Sequence, residues 1–283
     1  FGVEAKGVEA LLDDERIHAV SICTPPASHA ELAVRALAAG KHVMIEKPVA
    51  ASSEEAAAIP SARAGSGGLK AMVAHSHRFW PANRKAKELL DAGVIGRVVM
   101  VRDEILSHDP VGGGPLPWRY RRSIAGGGVV MDNGVHAFDR LRYWLGREAE
   151  AIDARVWTLV PGADVEDAAV IHVHFAARPG EDAGPSAQVY LNRQAAKGGG
   201  RCVAEFVGTH GMLSVETWGG VKWCEHDGPW RSEPFDSTLN AFDLEVRAFV
   251  TCILEEREVP VTVEDAAVSL RLVEKAYESA LRG

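Results

Sequence analysis

The sequence predicts an α/β protein in two parts, a parallel sheet with helical crossovers followed by a larger sheet of successive strands. Three observations predict it. Apolar runs at 19–24, 42–45 and 71–74 are separated by helix-length amphipathic segments, the alternation that produces a parallel sheet. From 152 onward, strand-like runs follow one another without helices between them, which produces an antiparallel or mixed sheet. The length, 283 residues, accommodates two ordinary domains. The change of pattern sets the expected boundary near residue 75, giving parts 1–75 and 76–283.

Each element has a local reason. The run 19–24 ends at Pro25-Pro26 and suits a short buried strand. Residues 28–39 carry Leu32, Ala33, Ala36 and Leu37 at helical spacing, and Gly40 stands where a helix terminates. Ser52 followed by Glu55 is a capping box for the next helix, which Pro60 should disturb. Pro81 and Gly93 bracket a helix over 81–92. A long strand is expected over 98–106, a Gly- and Pro-rich loop over 107–128, and a helix over 129–145 stopped by Gly146. Strands follow at 152–159, 168–175, 187–191, 202–207, 213–216 and 221–224, then helices at 239–254 and 263–281.

Composition narrows the function classes. A net charge of -8 argues against non-specific nucleic-acid binding, which needs a basic surface. No apolar run reaches the roughly 18–20 residues of a membrane span. Cys23, Cys202, Cys224 and Cys252 have no metal or redox spacing and suit small buried residues in a reducing compartment, so a cytoplasmic protein is expected. No metal site is expected, since no HExxH or third-ligand cluster accompanies the histidines.

Two segments could carry chemistry. Glu46-Lys47-Pro48 ends a buried parallel strand, the edge at which open α/β sheets bind ligands. A solvated charge pair at a strand end is the plainer reading. Asp132 and His136 are four residues apart, so on a helix they share a face, where a carboxylate can orient an imidazole. A surface ion pair is the alternative, although Val129, Val130, Val135 and Phe138 are apolar. Gly126-Gly127-Gly128 just before them permits close backbone approach to a ligand. Thr24-Pro25 after the first strand, His29 at the next helix start, and His75, His77 and Arg78 after the third strand are weaker candidates. So are Trp118-Arg119 in the long loop and His172 and His174 on one strand face. Neither GxSxG nor a P-loop occurs.

In this order, the segments resemble the Gfo/Idh/MocA oxidoreductase family, named for glucose-fructose oxidoreductase and inositol dehydrogenase. The likeness rests on Ala19-Val20-Ser21-Ile22-Cys23-Thr24-Pro25, Gly40-Lys41-His42-Val43 leading to Glu46-Lys47-Pro48, and Gly126-Gly127-Gly128 leading to Asp132-Asn133-Gly134-Val135-His136. It ends with the helix around Tyr277-Glu278-Ser279-Ala280 and spans nearly the whole chain. The resemblance implies a partial Rossmann-type parallel sheet and a C-terminal α/β domain with a large, mostly antiparallel open sheet. It implies NAD or NADP as cofactor and a sugar, inositol or similar polyol as substrate. Lys47 would be the general acid/base, with a cis Lys47–Pro48 peptide, and Asp132 and His136 would serve substrate binding and proton transfer. Thr24, Pro25, His29, Glu46 and Lys47 would line the nicotinamide side, with Arg78, Trp118 and Arg119 as further cofactor or substrate contacts. Pairing through the C-terminal sheet would give a homodimer or homotetramer.

The family's opening strand, GxGxxG turn and ribose-selecting strand have no counterpart here. Upstream sequence is therefore expected, and a chain lacking that cradle is expected to bind cofactor poorly and to present an open sheet edge. Two other functions share these features: an NAD-using glycoside hydrolase of the same broad family, and a non-catalytic binding or oligomer-forming protein.

Overall fold

The computed structural model describes residues 5–109, 111, 114–234, 236 and 238–282. The elements in chain order are α1 (Val8–Leu12), β1 (Ala19–Ile22), α2 (His29–Ala38), β2 (His42–Glu46), α3 (Ser53–Ala56), α4 (Ala58–Ala64), β3 (Ala71–Ala74), α5 (Pro81–Asp91), β4 (Val98–Leu106), α6 (Arg122–Ala125) and α7 (Val135–Leu145). The second half holds β5 (Ala149–Trp157), β6 (Ala168–Phe175), β7 (Ser186–Asn192), β8 (Arg201–Gly208), β9 (Gly211–Glu216), β10 (Gly220–Glu225), β11 (Arg231–Pro234), α8 (Ala241–Leu254) and α9 (Val263–Leu281).

The first sheet is parallel, in the order β1-β2-β3, with Val20 beside Val43 and Ile45 beside Val73. Its central strand buries three successive apolar residues, Val43, Met44 and Ile45, as a strand covered on both faces does. Among the described residues β1 pairs only with β2, and beside it Val8, Leu11, Leu12, Leu32 and Ala36 line an apolar groove of about 180 Å3. The capping box forms: Ser52 Oγ accepts from Glu55 N at 3.2 Å, and Glu55 reaches back to Ala51 N at 3.3 Å. Pro60 falls in the first turn of α4, where its missing N–H costs no helical bond, and two short helices replace one.

The second sheet has eight strands in the order β11-β10-β9-β8-β4-β7-β6-β5. All neighbours are antiparallel except β4 and β7, which run parallel from Met100–Ser186 to Leu106–Asn192. Alternating burial along β6 and β8 marks one face packed on the core and one open. Sequence periodicity gives no sign of α1 or β11. The four residues of β11 are all exposed, so no alternation announces the strand.

The end of the chain returns to the first sheet. Val73 N donates to Val261 O at 3.1 Å, and Met72 bridges Thr262. Thr262 then caps α9 by accepting from Asp265 N at 3.1 Å. α9 packs on β3, β5 and α7 and so ties the two sheets together.

Candidate active site

The carboxyl ends of β1 and β2 open onto a cavity of about 230 Å3. Thr24 and Pro26 form one side, Glu46, Lys47 and Pro48 the floor, and Trp118, Met131, Asp132 and Arg193 the far side. The Lys47–Pro48 peptide is cis. A larger groove, about 460 Å3, runs between β5 and the end of α9, but its walls carry charges of both signs and none of the residues just named. The smaller cavity joins strand ends, polar groups and apolar walls, as ligand sites do.

Asp132 lies at the centre. Lys47 Nζ donates to Asp132 Oδ1 and, at 2.9 Å, to the Asp132 carbonyl. Arg193 Nη2 donates to Oδ2 at 2.6 Å. Burial opposes ionisation of Asp132, but the charges of Lys47 and Arg193 outweigh it and hold the carboxyl well below the usual range. A fixed carboxylate between two cations results.

Local structure explains the position of Asp132. Residues Val130–Gly134 form a π turn that leads into α7, with Val135 N bonded to Val130 O. Such wide turns are uncommon and often sit at functional sites. Glu166 holds the turn's entrance: its carboxylate accepts from Val130 N at 2.9 Å, Gly128 N at 3.1 Å and the Tyr277 hydroxyl at 2.8 Å. Burial, then the Glu166 charge, pushes the Tyr277 phenol far up, so it remains a neutral donor. Gly128 is required there, because a Cβ would meet Glu166 O at 1.8 Å.

The expected Asp132–His136 pair does not form. Both Asp132 oxygens are taken by Lys47 and Arg193, and the π turn breaks the regular i,i+4 spacing. His136 is buried behind the cavity wall, and its Nδ1 has no hydrogen-bond partner. It stacks on His77 with centroids 4.1 Å apart and planes 12° from parallel. Burial, reinforced by nearby positive charge, drives both imidazoles well below their ordinary range, so both are neutral near pH 7. Beneath them Arg140, fully buried, forms a bidentate pair with Asp103 and reaches Cys202 Sγ at 2.6 Å.

The other sequence candidates divide. Thr24, Glu46, Lys47 and Trp118 line the cavity, and so does Arg119, whose guanidinium is held by Asp109 at 2.6 and 2.9 Å. Pro25 is not part of the lining; its neighbour Pro26 takes that place. His29 is not brought to the cavity either. It is buried, with Nδ1 2.8 Å from Pro48 O and Nε2 2.6 Å from Thr24 O, and thereby joins the two strand-end loops. Arg78 also lies away from it, gripped by Asp139 at 2.6 and 2.8 Å and by Asp265 at 2.5 Å. Its charge is neutralised inside the protein, which leaves none for a ligand. His75 is wholly buried beside Asp139, and His172 and His174 lie on the open sheet face.

Arg193 and Glu166 were not anticipated from sequence. The pairing of Ala168 with Asn192 brings the start of β6 and the end of β7 to one place. Arg193 N then donates to Asp167 O at 2.9 Å, with Glu166 alongside. The available signal was a charged residue ending each apolar strand at the same sheet end. Among the described residues, no group of three or more His, Cys, Asp or Glu is arranged to hold a metal ion.

Comparison with known proteins agrees with this architecture. Residues 1–75 match the family model described as oxidoreductase family, NAD-binding Rossmann fold, and residues 83–214 match the GFO/IDH/MocA C-terminal domain. A levoglucosan dehydrogenase of Pseudarthrobacter phenanthrenivorans is 40% identical over 155 residues, 54% of this chain but 39% of that protein's length. A D-xylose 1-dehydrogenase (NADP(+)) of Haloferax volcanii is 30% identical over 280 residues, covering 97% of this chain and 82% of the relative. The solved structure of a levoglucosan dehydrogenase complexed with NADH and levoglucosan superposes with a TM-score of 0.87 at 27% identity, covering 97% of this chain and 80% of that one. The chain belongs to the Gfo/Idh/MocA oxidoreductase family.

Proposed function

We propose that the protein is an NAD- or NADP-dependent dehydrogenase that moves a hydride between the nicotinamide and a CH–OH carbon of a sugar, inositol or similar polyol. The observation that carries this reading is the Lys47–Asp132 contact in a cavity at the carboxyl end of β2. The names of the relatives, dehydrogenases of levoglucosan and of D-xylose, support the substrate class.

The cavity suits the nicotinamide end of such a cofactor. Pro26, Pro48, Met131 and Trp118 give flat apolar walls, and Thr24 and Glu46 give polar groups at the strand ends. The dinucleotide would supply the hydride acceptor or donor. Lys47 exchanges the hydroxyl proton: as the amine it takes the proton during oxidation, and as the ammonium it returns it during reduction. Asp132 aims the Lys47 Nζ, and Arg193 fixes Asp132 from the other side. Neutral His136, behind the cavity wall, is the further group assigned to substrate binding and proton transfer. Trp118 and Arg119 border the mouth, where they restrict solvent and orient ring hydroxyls. The protein assembles as a homodimer or homotetramer through the outer face of the eight-stranded sheet.

A panel of sugars and inositols assayed with NAD and NADP tests the reading. Production of NADH or NADPH with at least one of them is expected. Absence of turnover with every member of the panel, in a protein that binds the dinucleotide, would contradict it.

A further inference from the structure

Helix α8 carries two apolar faces. Ala241, Glu245, Phe249 and Cys252 turn into the protein. A second row, Phe242, Val246, Val250 and Leu254, follows at intervals of four, with Leu239 just ahead of it. These five side chains are between 42% and 78% exposed. The row continues past the helix, since the Trp80 ring lies edge-on 6.4 Å from both Phe242 and Trp218, and Trp218 is half exposed.

A solvated helix face favours Lys, Glu or Gln, which are good helix formers. β-Branched valines are poor ones, and an exposed apolar row of this extent marks an interaction surface. Charge decides the occupant. Asp243 and Arg247 stand exposed along the edge of the row, and neither has an ion-pair partner among the described residues. Opposite charges four apart on a helix commonly pair with each other, and these stay separate. An acid and a base on one row suit a self-complementary contact, in which each finds its opposite on an identical surface. A membrane surface would call for cationic flanks alone.

We propose that this face is an interface with a second copy of the chain, in which two α8 helices pack antiparallel about a two-fold axis near Val246. Phe242 of one copy then meets Val250 of the other, the two Val246 side chains meet at the axis, and Asp243 of each copy reaches Arg247 of the other. The surface is separate from the open sheet face. α8 also rests on the segment 76–78, where His77 stacks on His136, so the contact braces the underside of the site.

Sedimentation velocity of the full chain and its variants tests this. Asp243→Arg and Arg247→Asp, each alone, should halve the assembly mass. The combined Asp243→Arg, Arg247→Asp variant should restore it. Thermal melts verify that each variant is folded. In a separate test that does not depend on weakened variants, Val246→Cys should form a disulfide-linked dimer under mild oxidation, located by peptide mass at position 246. A monomeric wild type, a mass unchanged by the single reversals, failure of the double reversal to restore it, or no 246–246 cross-link would each overturn the proposal. So would association that occurs only with a different protein.

Discussion

Lys47 and Asp132 meet across 85 residues of sequence, with Lys47 Nζ bonded to both the carboxylate and, at 2.9 Å, the main-chain carbonyl of Asp132. Two bonds to one residue fix the direction of a flexible four-carbon side chain. Arg193 completes the arrangement by occupying the remaining carboxylate oxygen at 2.6 Å.

Arg193→Met leaves Asp132 free to rotate and should lower kcat by about one to two orders of magnitude, within the range expected for a misaligned proton-transfer group. KM should change less, and Arg193→Lys should recover part of the loss. A uniform fall in activity that only follows loss of folded protein would count against a positioning role. Acid stability should move too. Lys47 and Arg193 hold the Asp132 carboxyl below its usual value, so its contribution to stability is complete above about pH 3.9 and declines as pH falls below that. Without Arg193 the folded carboxyl titrates nearer its unfolded value, so the decline should be smaller and should level off at a higher pH.

Glu245 gives a shift of the opposite sign. Its side chain is buried with Oε1 unpartnered, and burial, aided by the charges of Glu46 and Asp139, pushes the carboxyl up to about 8. The folded protein therefore binds the proton more tightly than the unfolded chain. Stability from this group is complete below about pH 4.3 and is lost as pH rises through about 8. Glu245→Gln should flatten that loss and raise Tm by several degrees at pH 8, since each unit is worth about 1.4 kcal/mol. Superimposable pH–Tm curves would refute the assignment.

The stacked histidines set the acid side near neutrality. Burial keeps His77 and His136 well below their ordinary range, so the unfolded chain takes up protons that the folded one does not. Stability should fall as pH drops below about 6.5. His77→Phe keeps a ring against His136 and should weaken that dependence, as read by urea unfolding between pH 5 and 7. An unchanged slope would mean that His77 titrates normally in the folded state.

The glycine turn should tolerate no side chain at 128. A Cβ there would meet Glu166 O at 1.8 Å and the Glu166 carboxylate carbon at 2.8 Å, and the main-chain oxygen has little room to give. Gly128→Ala should cost about 3 kcal/mol, the upper part of the overpacking range, and lower Tm by several degrees. A variant with wild-type Tm would show that the loop relaxes freely.

Much of the fold was legible because local chemistry and burial agree. The runs at β2 and β3 are apolar on both faces, α9 has its Thr262 cap, and Gly146 closes α7 in the left-handed conformation that glycine favours. Lys47 and Asp132 were legible through their strand end and glycine turn. Charge pairing was not. Arg78 resembles a ligand-binding arginine until Asp139 and Asp265, 61 and 187 residues away, are seen to hold it. Arg193 is the reverse case, an unremarked strand-end residue whose partner is 61 residues distant. The π turn was invisible because its residues suit a helix of ordinary pitch equally well. It separates Asp132 from His136, which helical spacing alone would pair.

The proton-transfer role of Lys47 is tested most directly by Lys47→Ala, with kcat for polyol oxidation measured beside dinucleotide affinity and Tm. The account predicts that kcat falls about a thousandfold, that affinity and Tm stay close to wild type, and that added methylamine restores part of the rate. Turnover by Lys47→Ala equal to that of the wild type would contradict it.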